Sequence, residues 1–180
     1  MNMKQALVGI CVALVLGAFM GYIVKQPTNE PIILENGQIQ GILFSPNGGC
    51  EAEVIRWIQK ANVSVYVLIY SFTLYLVGDA LIEAHNRNID VKVVFEESQI
   101  SEYSQYSRLN SNGIDVRKDT NSKLMHDKVM IVDGTVVLTG SFNWSNSAEE
   151  SNNENLIIVC GNDTANIYQN EFWKIWNASI

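Results

Sequence analysis

Cysteine, histidine and basic charge are all scarce in this chain, and each scarcity narrows what the protein can be. Three cysteines, Cys11, Cys50 and Cys160, are too few and too scattered for a disulfide framework or a zinc cluster. Cys50 and Cys160 can pair only if the fold brings them together, and two separate thiols is the simpler expectation. Basic residues number 12 against 19 acidic ones, a net charge of −7. All the acidic residues follow Lys25, so the body of the chain is more acidic still. Affinity for nucleic acid comes largely from neutralising phosphates, so generic binding to it is disfavoured, although a local basic rim would suffice. Neither an internal repeat nor a low-complexity tract is present. With 47% hydrophobic residues, the chain has enough apolar material for one domain with a core. Histidine occurs only at His85 and His126, and that scarcity makes each one worth examining.

The long apolar run is N-terminal. Ala6 to Val24 holds 19 uncharged residues between Lys4 and Lys25. As a helix it spans roughly 28 Å, close to the hydrocarbon thickness of a bilayer. Residues 1–25 therefore read as a signal peptide or an N-terminal membrane anchor. The stretch Gly17 to Gly21 offers no convincing small-residue cleavage site, which favours the uncleaved anchor. The rest of the chain then lies outside the bilayer on a single-helix tether; cleavage would instead give a secreted or periplasmic protein. Gly9, Ala13, Gly17 and Gly21 recur every four residues, the spacing of a face along which two helices approach closely. Residues 26–37, with Pro27 and Pro31, read as a linker, and 38–180 as one folded domain.

Within that domain two periodicities alternate. Gln38–Phe44, Ser64–Tyr70, Asp90–Phe95, Ile114–Lys118, Lys128–Val132, Val136–Thr139 and Leu156–Cys160 are predicted strands. Glu51–Lys60, Leu74–Asn86, Glu102–Asn110 and a last segment capped by Asp163 are predicted helices, with Asn88 a left-handed stop. Asp133-Gly134-Thr135 joins two strands as a hairpin. Such interleaving implies an α/β fold, a mixed sheet flanked by helices.

The chemistry concentrates in Met125 to Asp133. His126 and Lys128 are two apart on a predicted strand, so both side chains emerge on one face. An imidazole beside an ammonium suits attack on a phosphoryl group: the neutral ring is the nucleophile and the lysine neutralises charge on the non-bridging oxygens. Thr139-Gly140-Ser141-Phe142-Asn143 follows, a glycine turn that can present a hydroxyl, an amide and backbone N–H groups. Glu154 stands before the last strand. A carboxylate on the far nitrogen of His126 would fix its tautomer and stabilise a phosphohistidine. Taken singly, each of these residues passes for an ordinary strand or loop residue.

Together, His126, Lys128, Asp133, Gly140, Ser141 and Asn143 fall at the offsets of His-x-Lys-x4-Asp-x6-Gly-Ser-x-Asn, and Glu154 sits in Asn152-Asn153-Glu154-Asn155. This resembles the phospholipase D superfamily, and in particular its small single-motif members, the periplasmic bacterial endonuclease and the mitochondrial cardiolipin hydrolase Zucchini. Phe44-Ser45-Pro46, Gly49-Cys50 and Tyr70-Ser71-Phe72-Thr73 extend the likeness over roughly residues 40–178. The resemblance implies that 38–180 is a phospholipase D-like catalytic domain with one half-site per chain. It implies a catalytic group of His126, Lys128, Asp133 and Glu154 and a phosphate-binding group of Lys128, Ser141 and Asn143. His126 attacks phosphorus, Lys128 and Asn143 hold the phosphate, and Ser141 and Glu154 support the histidine. Asp133, five residues beyond Lys128, reads as a structural member of the motif. No metal or cofactor is implied.

Two-step chemistry needs a second group to protonate the leaving oxygen and then activate water. His85 lacks a following lysine pattern and reads as a favourable charge near a helix end. The second imidazole is therefore expected from a homodimer partner. Two substrates stay open. The apolar N-terminus, a membrane attachment through residues 6–24 if uncleaved, and the acidic body lean toward phospholipid. Five basic residues between Arg108 and Lys128 offer a phosphate-attracting rim that would suit DNA or RNA. Phe142 and Trp144 are expected in the core. A non-catalytic membrane-tethered binding domain is a third reading, and it predicts damage in the motif that is not present.

Overall fold

The computed structural model describes residues 37–180. The expected leader, 1–25, and nearly all of the expected linker, 26–37, lie outside them. Seven strands form one sheet: β1 (Gln38–Ser45), β2 (Ser64–Ile69), β3 (Asp90–Phe95), β4 (Asp115–Lys118), β5 (Lys128–Val132), β6 (Val136–Gly140) and β7 (Glu154–Cys160). Their order across the sheet is β1-β7-β6-β5-β2-β3-β4. β2, β3 and β4 run parallel, and every other neighbouring pair is antiparallel, so the sheet is mixed as expected.

Among the described residues five α-helices accompany it: α1 (Cys50–Lys60), α2 (Tyr75–Asn86), α3 (Tyr106–Ser111), α4 (Asn146–Glu150) and α5 (Asn162–Ala178). β2 is buried on both faces, and its alternation sorts two cores. Val65, Val67 and Ile69 join Val54 and Ile58 of α1 and Val77 and Leu81 of α2. Tyr66 and Leu68 join Phe172 and Trp176 of α5, with the Tyr66 and Phe172 rings stacked at 4.9 Å. Burying each such apolar side chain fully stabilises the fold by about 1.5–3 kcal/mol. Arg87 donates to the Ile58 carbonyl oxygen at 3.2 Å, occupying an acceptor near the C-terminus of α1.

Most element boundaries fall within a residue or two of the periodicity. Asn88 has the expected positive φ of 65°. The third helix is shorter than predicted because Gln105 is spent elsewhere: its amide N–H donates to the Phe72 carbonyl, tying the preceding turn to the core. The last helix begins after Gly161, and Asp163 lies in its first turn without making a side-chain cap. The short helix α4, capped by the Ser145 hydroxyl, was not anticipated. β7 starts at Glu154, two residues earlier than predicted, which puts that acid on the strand itself. The free side of β4 is closed by the C-terminal residue: Lys118 and Ile180 exchange backbone hydrogen bonds at 2.7 and 3.1 Å. Among the described residues, no helix is long and apolar enough to cross a membrane.

Candidate active site

The antiparallel register Ile69↔Lys128 puts the end of β2 beside the start of β5. There the Tyr70 N–H donates to the Asp127 carbonyl at 2.9 Å, holding the segment that carries His126. The strand begins at Lys128, so His126 precedes it instead of lying on it. Even so, His126, Lys128, Gly140, Ser141, Asn143 and Glu154 line one open cleft of about 420 Å³. The Tyr70 ring meets the imidazole edge-on at 4.4 Å between centroids, a contact that restricts how the ring can turn.

Lys128 is 8% exposed. Its Nζ donates to the His126 carbonyl at 2.7 Å and lies 4.8 Å from the centre of the Tyr70 ring. Burial holds its pKa below the usual lysine value, with Asp127 and Glu154 pulling the other way. The ammonium is thus partly stripped of water before a substrate arrives.

Gly140 ends β6 with φ 150°, and a Cβ there would collide with the Asn155 carbonyl oxygen. That close approach needs glycine. It lets the next residues clasp β7: the Ser141 N–H donates to both the backbone and side-chain oxygens of Asn155 at 3.1 Å, and the Asn155 N–H donates back to Ser141 Oγ at 3.1 Å. Asn143 turns its amide inward, and its Oδ1 is buried without a hydrogen-bond partner. A buried polar atom left unpaired costs free energy, which singles it out for a functional explanation. Phe142 and Trp144 are buried in the core, as expected.

Two expectations need correction. Glu154 lines the cleft, but among the described residues no hydrogen bond joins it to His126; its carboxylate accepts from Asn152 Nδ2 at 3.1 Å. Asp133, grouped with the catalytic residues by the motif, lies at the far end of β5 in the hairpin, with φ 52°. Its carboxylate accepts from the backbone N–H groups of Asn62, Val63 and Ser64 at 2.8–3.2 Å. It fastens the start of β2 and does not join the cleft. Burial pushes its pKa up, but the three amides outweigh that and hold it below the usual carboxylate value.

His85 lies near the end of α2, in a depression lined by Asn88, Asp90 and Asp115 at the opposite end of β3 from Phe95. Cys50 and Cys160 are both free thiols. Burial, and then the neighbouring charges of Glu149 and Glu154, push the Cys50 thiol up to about 11.

A mixed α/β sheet that delivers an imidazole, a desolvated ammonium and an unpaired amide to one cleft defines a site for phosphodiester chemistry. Comparison with known proteins agrees. Residues 54–176, more than half of the chain, match the family described as cardiolipin synthase, PLD-like domain. A phospholipase D of Rickettsia typhi is 35% identical over 139 residues, covering 76% of this chain and 68% of that protein. A mitochondrial cardiolipin hydrolase of Xenopus tropicalis is 36% identical over 126 residues, covering 69% of this chain and 60% of that protein. The chain thus spans about two thirds or less of the length of these relatives. The crystal structure of Nuc from Salmonella typhimurium, a phospholipase D family member, superposes with a TM-score of 0.75 at 32% identity, covering 81% of this chain and 97% of that one. The chain belongs to the phospholipase D superfamily.

Proposed function

We propose that this phospholipase D-type phosphodiesterase works through a covalent phosphohistidine on His126, acts on phospholipids, and is completed by a second copy of itself. The observation that carries the reading is the shared cleft of His126, Lys128, Ser141, Asn143 and Glu154. A ring nitrogen of His126 attacks phosphorus while the bond to the leaving alcohol breaks, and the partner subunit's His126, protonated, gives that oxygen its proton. Water then attacks the phosphohistidine and loses its proton to the same partner imidazole, releasing a phosphomonoester. Lys128 and the Asn143 amide hold the non-bridging oxygens. It is the Nδ2 end of Asn143 that donates to them, since the buried Oδ1 can only accept.

Phospholipid is favoured over nucleic acid by what the basic residues do. Arg108 pairs with Asp79 and donates to the Tyr75 carbonyl, and Arg117 donates to the Trp176 carbonyl at 2.7 Å. These two of the five basic residues hold the fold together instead of forming a rim. On its other side His126 borders a groove of about 490 Å³ that also includes Asp119, Asp127, Glu171 and Lys174. A polynucleotide would bring further phosphates against those carboxylates. Residues 1–25 serve in this reading as the membrane anchor that brings 38–180 to its substrate.

The test uses the full chain in detergent with chelator present. Hydrolysis of a chromogenic phosphodiester is expected for the native protein and at least a hundredfold loss for His126→Ala. Cardiolipin and phosphatidylcholine vesicles are expected to be turned over faster than plasmid DNA or RNA. Full activity of His126→Ala would end the nucleophile assignment, and preference for nucleic acid would reverse the substrate assignment.

A further inference from the structure

Glu96 immediately follows β3 and is 4% exposed, although none of the chemistry above uses it. A buried carboxylate is costly unless its oxygens are hydrogen-bonded, and here both are. Oε1 accepts from the Ser98 N–H at 3.2 Å and from Ser98 Oγ at 2.6 Å. Oε2 accepts from the N–H of Met125 at 2.8 Å, the residue before His126 and 29 positions away in the chain. The Glu96 N–H is itself fixed to the Ile69 carbonyl at 3.2 Å, next to Tyr70. The carboxylate therefore ties the ends of β2 and β3 to the segment that delivers the nucleophile.

Among the described residues, Glu96 forms no ion pair with lysine or arginine. Burial raises its pKa, but the hydrogen bonds from Ser98 and Met125, with the nearby His126, more than offset this and keep it below the ordinary glutamate value. Glu96 is thus a buried acceptor for three donors, one of them on the segment that carries the imidazole. A neutral amide could not replace it, because its –NH2 would face one of those donors.

We propose that Glu96 is a positioning residue for His126: by holding the Met125 N–H it fixes the backbone that delivers the imidazole to the cleft. This rests on the reading of His126 as nucleophile and, in the partner copy, as acid.

The experiment compares the full-length protein with Glu96→Gln and Glu96→Asp. Glu96→Gln turns an –NH2 toward one of these donors and so breaks part of the tie at nearly constant size. Its kcat is expected to fall at least about tenfold with little change in KM. Glu96→Asp cannot span Ser98 and Met125, so its kcat falls as well. Native kcat in both folded variants would overturn the proposal. If Glu96→Gln fails to fold, an unchanged kcat in folded Glu96→Asp overturns it alone. Failure of the underlying reading is separable, because exchange of the Met125 amide hydrogen with solvent can be followed without turnover. That exchange is expected to be at least about tenfold faster in Glu96→Gln. Unchanged exchange sinks the proposal even in a protein that hydrolyses nothing.

Discussion

Asp133 and Lys128 flank the same strand, five residues apart, and their charges serve different ends. Lys128 faces the cleft with its ammonium partly desolvated, whereas Asp133 is consumed by three backbone amides at the start of β2. Asp133→Ala is expected to cost about 2 kcal/mol of stability while leaving kcat unchanged, as measured by denaturant unfolding alongside steady-state kinetics. The loss should depend on pH. The folded-state pKa is depressed, so the unfolded chain binds the proton more readily and the contribution is fully present above the ordinary aspartate value of 3.8. Below that value the gap between Asp133→Ala and native stability should close. The spacing in the motif placed Asp133 away from the phosphate, but nothing local could reveal Asn62, Val63 and Ser64 as its partners. Tyr70 and Glu96 were illegible for the same reason. Each lies just past an apolar strand, and its importance comes from segments distant in sequence that only the folded sheet brings near.

The elements themselves were more readable, because their periodicity is set by burial. β2 alternates between two cores and α1 presents Val54 and Ile58 to one of them, patterns visible in the order of residues. Where a group instead makes a distant tie or a local cap, as the Gln105 backbone N–H and the Ser145 hydroxyl do, helix starts and short helices departed from expectation. The end of β6 shows how an element sets up chemistry. Gly140 lets the chain pass against β7 closely enough for Ser141 and Asn155 to clasp, and that clasp aims Asn143 into the cleft. Gly140→Ala forces a Cβ against the Asn155 carbonyl at a φ unfavourable to L-residues. It is expected to destabilise the protein by about 2–3 kcal/mol and to abolish most turnover. Thermal melts and activity on the folded fraction would check both, and a fully active, equally stable variant would contradict the clasp.

At the scale of the whole molecule, the described residues present one imidazole to the cleft, and the second histidine lies at the other end of the sheet. If catalysis needs one His126 from each of two copies, a dimer containing a single His126→Ala subunit is inactive. Co-expressing native and His126→Ala chains in equal amounts should then leave about a quarter of the activity of an all-native preparation. Half the activity would mean that each chain works alone. The mixed sheet followed from the alternation of strand and helix, whereas the half-site is an expectation that the count of histidines raises. The partner's approach is a property of surfaces that no periodicity encodes.

The outer strands have one more consequence. β1 pairs with β7, the first described strand with the last, and the opposite edge is closed by Ile180 itself. During synthesis β1 therefore has no partner until β7 has been made, and Glu154 comes with that strand. Until then the sheet stays open on that side, with the segment carrying His126 made but not yet enclosed. Hydrolytic competence should arrive only once β7 has joined β6 and β1.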